Sequence, residues 1–170
     1  MTMRISVLTI LVACISISYS YAQKKQVQES NSLTSNSINI TKMNIQDEKQ
    51  SFNDIKEVTK ALEPYIKSAL TGDGKLSRSA FYDHAHILGS IKGTVYNMTA
   101  DEFGGAVSEG GPSENVQHHI TWIDISGPAA AAKVEFLDWN GLRFTDFFVL
   151  YKKDGQWKIS GKVYNSHSKN

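Results

Sequence analysis

Two groups of side chains have the types and spacing to do chemistry. The first is Asp146 and Lys162, with Glu135 as a possible third member. Asn140-Gly141 and Asp154-Gly155 sit between strand-like runs, and such dipeptides are strong signals for two-residue hairpin turns. Counting outward from Asn140-Gly141 pairs Trp139 with Leu142 and sets Glu135 opposite Asp146, where two carboxylates repel unless a cation or a proton lies between them. The last hairpin supplies that cation if Asp154-Gly155 makes a three-residue turn with a glycine bulge, which sets Lys162 opposite Asp146; a two-residue turn sets Val163 there instead. The bulged form is preferred, because it gathers Tyr151, Val149 and Phe147 with Trp157, Ile159 and Val163 on one apolar face, and Asp146 and Lys162 then share the opposite face beside Phe148 and Trp139. A polar pair inside an apolar cavity can orient a ligand or move a proton. The same pair can also serve as an ion pair that fixes strand register.

The second group is Phe81-Tyr82-Asp83-His84-Ala85-His86. A histidine with Asp83 beside it titrates near neutrality and suits acid or base work. His84 and His86 share a strand face, yet no third ligand is evident, so no metal is expected. Asp146 and His84 are the catalytic candidates. Tyr65, Tyr82, Asp83, His84, Trp122, Asp146, Phe148 and Lys162 are the candidate ligand contacts, with Tyr65 and Trp122 each able to wall a cavity and present a polar tip. No glycine-rich phosphate loop and no nucleophile-elbow serine occurs, so the sequence implies no cofactor.

The elements that must position these groups are legible in the pattern. Ile55, Val58, Leu62, Tyr65, Ile66 and Ala69 recur at helical spacing, with a kink expected at Pro64. Thr71-Gly72-Asp73-Gly74 ends that helix and caps a short second one, Lys75 to Phe81. Short strands follow at His86 to Lys92 and Thr94 to Met98, and Thr99 with Glu102 forms a capping box for a helix from Ala100 to about Val107. Four longer strands are expected at about Asn115 to Ile125, Ala129 to Trp139, Leu142 to Lys152 and Trp157 to Tyr164. Helices followed by an antiparallel meander place the helices on one face of a curved sheet, an α+β fold. Leu142, Phe144, Phe148 and Leu150 form one apolar face of the third long strand and Phe147, Val149 and Tyr151 the other. A sheet apolar on both sides needs two covers, so a homodimer through the sheet is expected.

Eighteen basic against seventeen acidic residues leave a net charge of +1. The basic residues are dispersed, so there is no electrostatic footprint for nucleic acid. Residues 1–22 have the layout of a cleaved secretory signal: Arg4, the apolar run from Ile5 to Ala13, then Ser20-Tyr21-Ala22. The apolar stretch is too short for a membrane span. Cys14, the single cysteine, lies in Leu11-Val12-Ala13-Cys14, which looks like a lipoprotein box, so a lipid anchor at Cys14 stands as the alternative to cutting at Ala22. Both place the protein outside the cytoplasm, periplasmic or extracellular. Residues 23–49 read as a polar, disordered tether, 50–166 as one domain of about 120 residues, and 167–170 as a tail.

The block Tyr65 to Asp73, then Phe81 to Gly89, Gly141 to Phe148 and Asp154-Gly155-Gln156-Trp157-Lys158-Ile159 resembles the nuclear transport factor 2-like superfamily. Within it, the chain is most similar to the bacterial putative lumazine-binding family, akin to SnoaL-like proteins, over about Phe52 to Tyr164. The resemblance implies a cone-shaped curved antiparallel sheet wrapped around N-terminal helices, a pocket, and usually a dimer. Asp146 matches an acidic position that often follows threonine in this hairpin, and Lys162 a basic position on the last strand. The superfamily holds ketosteroid isomerase, scytalone dehydratase and polyketide cyclases beside pure binding modules. No complete catalytic set is present here, so no catalytic role carries over. Three readings follow: an exported module binding a small hydrophobic or aromatic molecule, a cofactor-free isomerase, cyclase or dehydratase, and an envelope interaction module acting through its sheet.

Overall fold

The structure is a computed structural model that describes residues 7–167, with side chains described from residue 23 onward except at 44–46. The expected leader, Cys14 included, lies outside the residues with described side chains, as does the end of the expected tail. The chain divides into two units, residues 1–49 and 50–170. Helix α1 (Val7–Thr71) contributes to both.

In the first unit, residues 23–49, expected as a disordered tether, are helical. Every described side chain there is exposed, and hydroxyls such as Thr34, Ser35 and Thr41 donate back to carbonyls four residues earlier. The stretch buries nothing, in keeping with its polar composition. Among the described residues no helix is long and apolar enough to cross a membrane.

In the second unit the expected helix period is met. Val58, Leu62, Tyr65 and Ala69 are fully buried on one face of α1, which continues through Pro64. Helix α2 (Gly74–Ser79) is shorter than expected; Asp73 caps it by accepting from the Leu76 amide. Helix α3 (Ala100–Gly110) opens with the expected reciprocal capping box of Thr99 and Glu102. Helices α2 and α3 touch backbone to backbone, since a Cβ at Gly74 would lie 1.9 Å from the Gly104 carbonyl oxygen. Glycine is required at that crossing.

Six strands, β1 (Phe81–Ile91), β2 (Thr94–Thr99), β3 (Gln117–Ser126), β4 (Ala129–Trp139), β5 (Leu142–Lys153) and β6 (Gln156–His167), form one curved sheet in the order β2-β1-β6-β5-β4-β3. The fold is α+β, as expected. One pair departs from the antiparallel expectation: β1 runs parallel to β6. The expected first strand also begins five residues early, because the Ile159 amide donates to the Ala80 carbonyl and pulls Phe81 into register beside it.

Both hairpin turns have two residues, but each is followed by an irregularity that moves the register. In the β4–β5 hairpin Trp139 faces Leu142 as counted, while the break between Phe136 and Trp139, with Asp138 at φ +63°, slips the rest by one. Glu135 therefore faces Thr145, not Asp146, and pairs with Lys133 at 2.7 Å. In the β5–β6 hairpin Leu150 faces Ile159 but Val149 faces Gly161, so Ser160 is an extra residue, a β-bulge. Asp146 consequently faces Tyr164, and Lys162 faces Phe148. Neither register considered from the turn alone is the one adopted.

The bulge has a chemical result. Side chains alternate along a strand, so without it Trp157 and Ile159 would share a face with Val163. With it, Trp157, Ile159, Lys162 and Tyr164 are all buried on the inner face and Val163 is exposed.

Candidate functional site

Tyr65 of α1, Asp146 of β5 and Lys162 of β6 meet beneath the sheet. Asp146 and Tyr65 are wholly buried and Lys162 is 4 % exposed. The Tyr65 hydroxyl donates to Asp146 Oδ2 and accepts from Lys162 Nζ, which stands 3.1 Å from the same carboxylate oxygen. Three polar groups so deep are tolerable because each is paired.

The surroundings of this triad are aromatic. The Tyr65 ring packs against Phe81, Phe103, Phe136, Trp139 and Phe148 with centroids 5.1–6.0 Å away. Lys162 Nζ lies 4.5 Å from the Phe103 ring centre and 4.6 Å from those of Tyr65 and Tyr164, so ring faces and one carboxylate share its charge. Burial pushes the Lys162 ammonium down from its ordinary value, against the opposing pull of Asp146. Burial raises the Tyr65 hydroxyl well above its ordinary value, and the negative charge of Asp146 raises it further. Tyr164 is also raised, chiefly by burial.

Beside the triad is a cavity of about 300 Å³ between α3, β1, β2, β6 and the β4–β5 turn. Its walls are largely apolar, with Ile91, Met98, Phe103, Val107, Trp139 and Phe144 prominent. Lys162 and Tyr164 enter the same wall, and exposed Ala106, Gly110 and Asn140 mark the end facing solvent. The Tyr65 ring and the aromatic side chains packed on it fill the space beneath Asp146. Asp146 and Tyr65 therefore stand behind Lys162 rather than in the cavity wall.

Two polar atoms of this region have no hydrogen-bond partner among the described residues: Asp146 Oδ1 and the Tyr164 hydroxyl, both buried. An unpaired buried hydroxyl costs about 1–3 kcal/mol, so on a residue that lines a cavity it marks a place where a ligand atom would be stabilised.

Of the sequence candidates, Tyr65, Asp146, Phe148 and Lys162 are brought together. Tyr82, Asp83, His84 and Trp122 are not. His84 is exposed and stacks on Tyr82 at 5.4 Å; Asp83 is spent on Arg78, 2.6 Å away; Trp122 is 43 % exposed on the outer face. The physical cause is parity: Ala85 and Ile87 take the inner face of β1, which turns His84 and His86 outward. The sequence reading missed Tyr164 and Phe103. The alternation of Lys162 and Tyr164 was visible, but its importance depends on a bulge that no residue pattern announces.

Solved structures with the same fold confirm the architecture. A nuclear transport factor 2-like protein of unknown function from Methylobacillus flagellatus is 35 % identical, covers 68 % of this chain and 94 % of its own, with TM-score 0.65. One from Shewanella baltica is 28 % identical over 69 % of this chain and 97 % of its own, with TM-score 0.66. A ketosteroid isomerase-like protein from Erwinia carotovora atroseptica, at 15 % identity, 67 % and 96 % coverage and TM-score 0.53, shares the fold alone. No curated protein matches the sequence. The family model described as "Putative lumazine-binding" matches residues 53–165, two-thirds of the chain and the whole of the sheet up to Asn165. With triad, cavity and sheet all inside that span, the chain belongs to the putative lumazine-binding family of the nuclear transport factor 2-like superfamily.

Proposed function

We propose that the second unit binds a small, largely apolar molecule in the cavity beside Lys162, with the Lys162 amine and the Tyr164 hydroxyl as its polar contacts. The observation that carries this reading is the buried, unpartnered hydroxyl of Tyr164, a residue that lines an apolar cavity whose volume, about 300 Å³, is at the lower end of ligand pockets. A flat aromatic molecule bearing a carbonyl fits both the ring-lined walls and the two donors. The family's name points to lumazine, which belongs to that chemical class.

Titration of the full chain with lumazine and a panel of small aromatic carbonyl compounds, read by fluorescence of Trp139 in the wall, tests this. Tyr164→Phe is expected to weaken binding about tenfold, the equivalent of one lost hydrogen bond. Ala106→Trp, at the exposed rim, is expected to block the cavity and abolish binding. Binding undiminished by Ala106→Trp refutes the site.

The leader pattern supports work outside the cytoplasm, and the exposed apolar outer face of the sheet supports a homodimer. Sequencing the N-terminus of protein recovered from cell envelope and medium checks the former: a start at Gln23, or at a lipidated Cys14, is expected. An acid–base enzyme built on His84 has no support, because His84 is exposed and outside the cavity wall.

A further inference from the structure

Lys162 is the sole lysine or arginine among the residues lining the cavity. We propose that it is a covalent anchor for carbonyl ligands: its amine condenses with a small aromatic aldehyde or ketone seated in the cavity. This rests on the cavity being the ligand site.

Four features of the geometry converge on it. The amine is buried at the boundary of an apolar space, where a lysine is desolvated and its neutral, nucleophilic form is favoured. A proton acceptor, Asp146 Oδ2, is 3.1 Å away. The Tyr65 hydroxyl bridges amine and carboxylate and offers a path between them. Tyr164 lines the cavity with its ring 4.6 Å from Nζ, and its hydroxyl has no partner among the described residues and is free to donate to a carbonyl oxygen. A pair kept for stability alone would need neither an adjoining cavity nor a free hydroxyl, and apolar replacements often serve as well.

The step balances without any further reactant. Lys162 Nζ gives a proton to Asp146, and its lone pair attacks the carbonyl carbon to form the C–N bond. The carbonyl oxygen, receiving the displaced π pair, takes a proton that leaves the new C–N nitrogen by way of Tyr164, giving a neutral carbinolamine. Asp146 returns its proton to that hydroxyl by way of Tyr164, which faces it across β5 and β6 and lines the cavity, and the hydroxyl departs as water as the C=N bond forms. One ammonium and one carbonyl become one iminium and one water. The site carries the same charge before and after, so the carboxylate and rings that hold the ammonium also hold the iminium. That conservation matters in a buried site, where a net change of charge is costly.

The test uses the full wild-type chain, naphthaldehyde and sodium cyanoborohydride, which reduces an iminium to a stable secondary amine. Mass spectrometry is expected to show one naphthylmethyl adduct, mapped by peptide sequencing to Lys162, forming at least about tenfold faster than on exposed lysines, which are protonated near neutrality. Excess naphthylmethanol, which fits the cavity but has no carbonyl, is expected to suppress it. Lys162→Arg keeps the charge and is expected to lose the adduct. If naphthaldehyde and naphthylmethanol bind but trapped adducts fall on surface lysines alone, covalent capture is overturned and the ligand site stands. If neither binds, both ideas fall.

Discussion

Asp146 and Tyr164 face each other across β5 and β6, and the bulge at Ser160 is what puts them there. Paired without that bulge, the same residues would bring Val163 to that position and turn Lys162 and Tyr164 out to solvent. The triad, the cavity wall and the ring cage of the lysine all depend on that single register shift, which the Ser160 hydroxyl reinforces by donating to the Val149 carbonyl.

Asp146→Asn leaves the Lys162 charge buried without its counter-ion. Breaking a buried pair in this way costs about 3–5 kcal/mol, so the variant is expected to unfold at markedly lower urea. Tyr65→Phe keeps the ring packing and loses the bridging hydroxyl, at a cost of about 1–3 kcal/mol. Equilibrium urea unfolding should order the chains as wild type, Tyr65→Phe, Asp146→Asn. An Asp146→Asn chain as stable as wild type would mean the pair contributes nothing.

Alkaline pH should distinguish the buried tyrosines. Tyr65 and Tyr164 hold their protons above the ordinary value near 10, whereas in the unfolded chain they release them there. The folded state then binds more protons, so their contribution to stability is intact below pH 10 and is lost as pH rises from 10 through the raised folded values. Lys162 acts with the opposite sign: its lowered folded value makes stability rise with pH up to its ordinary 10.5. Above 10.5 the tyrosines dominate. Denaturation followed across that range should show a loss that is smaller in Tyr65→Phe, and absorbance titration should show two tyrosines ionising at higher pH than the exposed ones.

Gly89 is expected to be irreplaceable. It pairs with Tyr164, and a Cβ there would lie 2.3 Å from the Tyr164 ring and 2.4 Å from its carbonyl oxygen. Gly89→Ala must move either the ring or the strand, costing about 1–3 kcal/mol by overpacking. If the ring swings into the cavity, ligand binding falls as well, and measuring both stability and affinity on this one variant reports whether the Tyr164 position serves the site.

The outer face of the sheet carries a row of Trp122, Lys133, Phe147, Val163 and Leu88, continuous across four strand pairings. Four of those five are large apolar side chains, each more than two-fifths exposed. Such a patch is characteristic of an interface. Light scattering is expected to give a dimer, and Phe147→Glu a monomer of unchanged fold, since Phe147 contributes nothing to the buried core. A monomeric wild type would end this reading.

The sequence by itself determined the elements and the chemistry available to them. Helical spacing at Val58, Leu62, Tyr65 and Ala69, the capping box at Thr99 and the turns at Asn140 and Asp154 are local signals, because they arise from steric and hydrogen-bond preferences of neighbouring residues. Asp146 and Lys162 were identifiable because polar groups amid apolar strands must be paired, and Tyr65 because it lies on the apolar face of the helix and carries a polar tip. The tertiary structure alone decided which way those strands slide. Bulges at Asp138 and Ser160 are selected by how the sheet packs on α1 and α3, a competition between distant contacts that short-range pattern does not encode. The same competition sent His84 and Trp122 outward and brought Tyr164 in.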